Sequence, residues 1–284
     1  MDQTIRVDAH HHVWDLSVRD QEWTRNLPAL RRSFFLDDLL PLLEQSDVRA
    51  TVLVQTLNLA EETLELLVLA KERSPVSGVV GWVNLRDEAV DDELARLRAL
   101  PGGEFLVGIR HLAQDEPDGE WTCRPDVLRG LKKVEQAGLV YDLLVHEHQI
   151  PSAIRAVQSR PDLRFVLDHF GKPLIGGGVM DPWESQMTEL AACENVVVKF
   201  SGLVTETDHL RWRAEDLRPY VDVVLSQFGP QRMMFGSDWP VCQLAASYEQ
   251  VVRVAEELTS DLSTSEKGSL FGDTAIRWYG LDLS

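Results

Sequence analysis

Eight short apolar runs alternate with helical patterns along this chain of 284 residues; no glycine-rich fingerprint follows the first run and no linker separates any two. These observations predict an α/β chain folded as a (β/α)8 barrel, a single domain over residues 1–284. A doubly wound open sheet is the competing architecture. It would place a glycine-rich turn after the first strand, where this chain has "HHH" at 10–12.

The runs are "IRVDAH" (5–10), "ATVLVQT" (50–56), "SGVVGWVNL" (77–85), "FLVGIRHL" (105–112), "LVYDLLVH" (139–146), "LRFVLDH" (163–169), "NVVVKFSG" (195–202) and "RMMFGSD" (232–238). Most are rich in Val, Ile, Leu or Phe without clean alternation, as parallel strands covered on both faces should be. The stretch 14–33 is long for a strand-to-helix loop and carries two tryptophans; loops of that length commonly cover a site. "AEETLELLVLAKER" (60–73) has one apolar stripe and acids in its first turn. "RPDVLRGLKKVEQAG" (124–138) has Pro125 near its start and Gly138 past its end. "DPWESQMTELAACEN" (181–195) opens on an Asp-Pro start signal, residues 245–259 continue the series, and 266–279 form a closing helix.

Apolar residues make up 44% of the chain and charged ones 26%, enough of each for a large core and an ordinary soluble surface. The formal charge of −18 argues against a nucleic-acid partner and against an anionic membrane surface. No apolar run reaches the roughly 18 residues of a membrane span, and the N-terminus has no signal-like apolar region. Cys123, Cys193 and Cys242 are far apart, odd in number and form no CxxC, which favours a reducing, cytoplasmic setting. The sequence leaves open whether copies associate into a homo-oligomer.

In a barrel of this kind chemistry sits where strands end. The first run ends in three histidines; alternation along a strand aims His10 and His12 together and turns His11 away. Such a pair is half of a divalent-metal site, though histidines near a terminus are also met as solvated loop. The sixth run ends in Asp168-His169 and the eighth in Asp238. His169 could equally be a core histidine and Asp238 a helix N-cap, but an acid after "RMMF" needs partners in either case. Three strand ends meeting at one mouth would bring the imidazoles and the carboxylate together. Arg110 and His111 end the fourth run, His146 the fifth, and Lys172 follows His169 by three; all are candidate substrate contacts, Arg110 as a planar donor fork. Trp14 and Trp239 flank the first and eighth strand ends and could face a sugar ring or pack in the core.

"DAHHHVWD", "GIRH" (108–111), "LDHFGKP" (167–173), "KFSGLVTE" (199–206), "FGSDWPVC" (235–242) and "DTAIRWYGL" (273–281) resemble the amidohydrolase superfamily, closest to its branch of L-fuconolactonase- and L-rhamnonolactonase-type sugar lactone hydrolases. The resemblance implies a distorted TIM barrel that opens cyclic esters. It makes His10, His12, His169 and Asp238 the metal-type residues, and Asp238 and His169 the catalytic ones. Asp238 would be the general base and His169 would polarise the carbonyl, orient Asp238 or ligate the metal. The bridging lysine of binuclear relatives has no counterpart at the fourth or fifth strand end; Lys199, on the seventh, is misplaced for bridging, and His146 is a stand-in that its surroundings do not force. One divalent ion, zinc or manganese, weakly held or absent, is therefore expected. Otherwise His10 and His12 would orient substrate and water directly. The competing readings are a metal-dependent decarboxylase of an aromatic or related acid, and a hydrolase of a carboxylated lactone from aromatic catabolism, with Arg110 and Lys172 on the carboxylate. A barrel that binds a sugar acid or lactone without turning it over is a third; the presence of Asp238 speaks against it.

Overall fold

The structure, a computed structural model, describes residues 5–283. Eight parallel strands pair in sequence order: β1 (Arg6–His11), β2 (Val48–Val54), β3 (Val76–Gly81), β4 (Leu106–His111), β5 (Val140–Leu143), β6 (Phe165–Leu167), β7 (Val196–Phe200) and β8 (Met233–Phe235). Between them run α1 (Leu36–Gln45), α2 (Ala60–Glu72), α3 (Val90–Ala99), α4 (Pro125–Gln136), α5 (Ile150–Ser159), α6 (Trp183–Ala191) and α7 (Ala214–Phe228). After β8 come α8 (Tyr248–Leu258), α9 (Thr264–Gly268) and α10 (Thr274–Tyr279), the last two joined through a π-helical turn at Ser269–Asp273. The expected closing helix is thus one broken element. The expected strands are shorter than their apolar runs, because several runs continue into turns at the mouth.

Local sequence accounts for the ends of these elements. Pro125 occupies the first turn of α4, where its missing N–H costs nothing, and Gly138 takes up φ 68° after its last turn. Before α8, Ser247 Oγ accepts from the Gln250 N–H at 3.2 Å while Gln250 accepts from the Ser247 N–H at 2.8 Å. No helix among the described residues is long and apolar enough to cross a membrane.

The barrel is irregular at its seam. β1 carries register shifts between Arg6 and Val7 and between Asp8 and His11, and meets the eighth strand's extension through a single parallel bridge, His11 to Trp239. The Asp8 carboxylate fills the gap, accepting from the Ser237 N–H at 2.8 Å and the Tyr248 hydroxyl at 3.2 Å. Its burial pushes that carboxyl up to about 6 despite these bonds. Above the bridge, the His12 N–H donates to the Trp239 carbonyl at 2.7 Å and the Asp238 N–H to the His10 carbonyl at 2.8 Å. These bonds set the first and last strand ends side by side.

Inside, the lower barrel is apolar: Val52, Val80, Val140, Val166, Val197 and Met234 pack together and are closed beneath by Tyr279 and Leu281. Two residues further along four strands, on the same side by strand alternation, the chain places Arg110, Asp142, Asp168 and Lys199. All four are buried. Lys199 Nζ donates to Asp142 Oδ2 at 2.6 Å and lies 3.1 Å from Asp168 Oδ1, while Arg110 Nη1 donates to Asp168 Oδ2 at 3.0 Å. Two cations and two anions balance in a space that could not hold any of them alone. Lys199→Met should lower the unfolding free energy by about 3–5 kcal/mol, because it leaves the buried Asp142 carboxylate without its cation and Asp168 with Arg110 alone. Urea titration checks this, and a loss below about 1 kcal/mol would show that the layer is not the paired system described.

Candidate active site

Directly above the charged layer the three expected strand ends converge. His10 Nε2 and His12 Nε2 stand 3.2 Å apart. Asp238 Oδ1 lies 3.5 Å from His12 Nε2 and 3.7 Å from His10 Nε2. The His169 ring centroid is 4.6 Å from that of His10. His11 turns away and pairs with Thr51 Oγ1 at 2.9 Å.

Each imidazole has a fixed orientation. His12 Nδ1 is 2.7 Å from the Val54 carbonyl, which can only accept, so Nδ1 carries a proton and Nε2 is turned to the cavity. His169 Nδ1 pairs with Ser201 Oγ at 2.8 Å. His10 is flanked by cations, Lys199 Nζ at 3.1 Å from Nδ1 and Arg110 Nη1 at 3.3 Å from Nε2.

The backbone is strained here. Among the described residues, five other than glycine have positive φ, and four of them, His169, Phe170, Lys172 and Asp238, belong to this mouth. Two glycines make the crowding tolerable. A Cβ on Gly202, itself at φ 64°, would fall 2.5 Å from His169 Nδ1, and one on Gly236 would fall 2.6 Å from His10 Cβ.

Burial holds the His169 imidazole down at about 4, against the opposing pull of Asp238 and Asp168, so it is neutral at pH 7. Burial and the Lys199 ammonium do the same to His10. Burial pushes the Asp238 carboxyl up, but His169, His12 and Lys172 outweigh it and hold the group below the ordinary carboxylate range. An ionised carboxylate therefore stands beside the neutral imidazoles of His10 and His169.

These groups open into a cavity of about 180 Å³ lined by His12, Trp23, Arg110, His169, Lys172 and Asp238 among others. A larger hollow of about 410 Å³ lies on the far side of the long first loop, lined by Trp14, Phe34, Leu66 and Leu69; none of the histidines reaches it.

The profile of the amidohydrolase family matches residues 7–281. The chain belongs to this family. A relative from Burkholderia multivorans named L-fucono-1,5-lactonase is 40% identical, covering 98% of this chain and 96% of its own. One of the same name from Burkholderia ambifaria is 36% identical over 98% and 97%. A crystal structure of a Burkholderia multivorans amidohydrolase with bound zinc superposes with a TM-score of 0.92 at 38% identity, over 98% of this chain and 100% of that one.

Edges of 3.2, 3.5 and 3.7 Å among His10 Nε2, His12 Nε2 and Asp238 Oδ1 suit a tetrahedral ion with bonds of about 2.0–2.1 Å. His12 also has the usual outer support, its second nitrogen donating to a carbonyl. His10 would serve once its Nδ1 carried a proton toward Asp168 Oδ1, 3.5 Å away, instead of facing Lys199. The donor set fits a divalent ion, with a cation close behind one ligand.

Of the other residues singled out from sequence, Arg110 and Lys172 line the cavity, and four do not. His111 stacks on Trp121 at 3.9 Å, takes the Trp82 indole N–H at 3.0 Å and pairs with Glu116 at 2.8 Å, outside the barrel mouth. His146 is half-buried against His148. Trp239 is sealed in the core against Phe34, and Trp14 packs on Phe34 with its indole N–H on the Arg32 carbonyl. Both tryptophans sit where their strand ends turn outward, so neither lines this cavity. The tryptophan that does is Trp23, inside the long loop. The loop is legible in the sequence by its length, whereas nothing in the sequence distinguishes Trp23 within it. Asp142 and Lys199 do carry a signal, a lone charge within an otherwise apolar strand, which alternation puts inside the barrel.

Gly202→Ala should destabilise the chain by about 1–3 kcal/mol and break the His169–Ser201 contact, because the new methyl overlaps the imidazole. Thermal unfolding with a crystal structure of the variant checks both; an unmoved His169 would refute the steric reading.

Proposed function

We propose that this chain hydrolyses the cyclic ester of a sugar acid, an aldonolactone of the L-fucono or L-rhamnono type, with Asp238 as general base. The observation that carries the reading is the ionised Asp238 carboxylate beside the neutral His169 imidazole in a small polar cavity. The two Burkholderia lactonases, similar over nearly the whole chain, support the substrate class.

Asp238 takes a proton from a water molecule as the water oxygen bonds to the lactone carbonyl carbon. The carbonyl π electrons move to oxygen, where the His169 imidazole and the Lys172 ammonium face the developing charge. The bond from that carbon to the ring oxygen then breaks. Its electron pair stays on the ring oxygen, which receives the proton held by Asp238. One water is consumed and the product is an open-chain hydroxy acid. Arg110, fixed to Asp168 and the Gln55 carbonyl, adds positive potential from beneath. Where a zinc or manganese ion is bound, His10, His12 and Asp238 would hold it, and it would supply Lewis-acid polarisation and a more acidic water. Cys123, Cys193 and Cys242 are free thiols, in keeping with the cytoplasmic setting we assign.

A pH-indicator assay over a panel of aldonolactones, with and without added zinc or manganese, tests the activity. Asp238→Asn should cost about 10²–10⁴-fold in kcat with KM little changed. Unchanged turnover would remove Asp238 as the base, and loss of a hydroxybenzoate in place of lactone opening would favour the decarboxylase alternative. Acidification first charges His169 and only then removes the base by protonating Asp238, which is held below the ordinary carboxylate range. Because both groups lie below their ordinary values, His169 at about 4, kcat/KM should stay level from pH 7 down to about pH 5 and fall only below it. An acid limb centred near the ordinary histidine value of about 6.5 would contradict the assignment.

A further inference from the structure

One wall of the cavity belongs to a loop dense in fixed hydrogen bonds. Its neck is closed by paired backbone bonds between Trp14 and Phe34, at 2.9 and 2.8 Å. Arg31 ties the interior together through Asp20 Oδ1, the Gln21 carbonyl and Thr24 Oγ1. From the cavity inward, the bonds then run in one direction. The Trp23 indole N–H donates to Gln21 Oε1 at 2.7 Å. The Gln21 amide donates to Thr56 Oγ1 at 2.9 Å, and the Thr56 hydroxyl donates to the Glu62 carboxylate. Glu62, buried in the first turn of α2, also accepts the N–H groups of Thr56 and Leu57. The Thr56 hydroxyl also lies 3.1 Å from Gln21 Oε1, but the indole N–H can only donate, so it keeps the Gln21 oxygen toward Trp23 and the amide nitrogen toward Thr56, and the position of Trp23 is tied to that of Gln21. Trp14 braces the same indole edge-on, with ring centroids 5.4 Å apart.

The consequence is chemical. Trp23 is part-exposed at the cavity, yet its only polar atom is already bonded away from it. What it offers a ligand is carbon surface. Gln114, Asp115, Lys172 and Thr205 supply polar groups elsewhere around the same cavity. Such a pairing of one aromatic wall with polar surroundings suits a saturated polyhydroxylated ring whose C–H bonds gather on one face.

We propose that Trp23 is a specificity-determining residue, taking the C–H face of the lactone ring, and that Gln21 is its positioning residue. This rests on the sugar-lactone reading above. The site then selects lactones by stereochemistry: a ring with its C–H bonds together on one face is accepted, and an epimer that puts a hydroxyl on that face is penalised. The discrimination comes from binding and falls on KM more than on kcat, since Trp23 does not touch the reacting atoms.

The experiment compares L-galactono-1,5-lactone, whose C–H bonds at C3, C4 and C5 share one ring face, with L-gulono-1,5-lactone, its epimer at the β-carbon, on the full chain. Wild type should favour the galactono compound by about tenfold in kcat/KM. Trp23→Leu and Gln21→Leu should each raise KM for the galactono compound by about tenfold, leave kcat within about twofold and level the two epimers. Trp23→Phe, which keeps a flat ring, should restore most of the preference. Thermal unfolding of each variant shows that the loop is still folded. A wild type that opens neither lactone, nor any other on the panel, overturns the sugar-lactone reading. A wild type that opens lactones without preferring the galactono epimer, or a Trp23→Leu variant that keeps the preference, overturns the role of Trp23 alone. A Gln21→Leu variant that behaves as wild type overturns the positioning role.

Discussion

One ammonium group organises the upper half of this barrel. Lys199 Nζ donates to Asp142 Oδ2 at 2.6 Å and lies 3.1 Å from both Asp168 Oδ1 and His10 Nδ1. A buried ammonium depends on such an arrangement, because removing it from water is costly unless opposite charges surround it. The same arrangement bears on what lies above. Lys199 Nζ beside one ring nitrogen and Arg110 Nη1 beside the other hold the His10 imidazole between two cations, with Nε2 3.2 Å from His12 Nε2. A charge on the seventh strand thus helps to place a residue of the first.

The functional surface is correspondingly rigid. His169, Lys172 and Asp238 sit at positive φ, a conformation that costs of order 1 kcal/mol or more for each such residue. The strain is held by the close approach of Gly202 and Gly236 and by the backbone bonds that join the ends of β1 and β8. Burial then removes charge from the His10 and His169 imidazoles while leaving Asp238 ionised. The site has a base and polarising groups at neutral pH without a separate activating step.

The long first loop completes this picture. Its neck and interior are tied as firmly as a regular element, so it forms a wall of the cavity and not a flap over it. The hollow behind it, though larger, contains no imidazole and borders Glu62, whose carboxylate oxygens accept from Thr56 and Leu57. Cavity size and chemistry point to different places in this protein, and the convergence of side chains is the better guide.

Much of the architecture was legible in the sequence because it is periodic. Apolar runs without alternation imply strands covered on both faces, and eight of them with helices between imply a closed parallel barrel. Strand ends could therefore be listed, and His10, His12, His169 and Asp238 named from them. The meeting of His10, His12 and Asp238 within 4.8 Å, with His169 beside His10, and the pairing of distant charges such as Asp142 with Lys199, depended on register and on the shifted first strand, which periodicity does not encode. The same holds for the tryptophans. A position beside a catalytic strand end told nothing about direction, so Trp14 and Trp239 went to the core while Trp23 reached the cavity. By itself the sequence determined which elements form and which reactive groups stand at their ends. The tertiary structure alone decided which of those groups face one another, because that depends on hydrogen bonds between residues far apart in the chain.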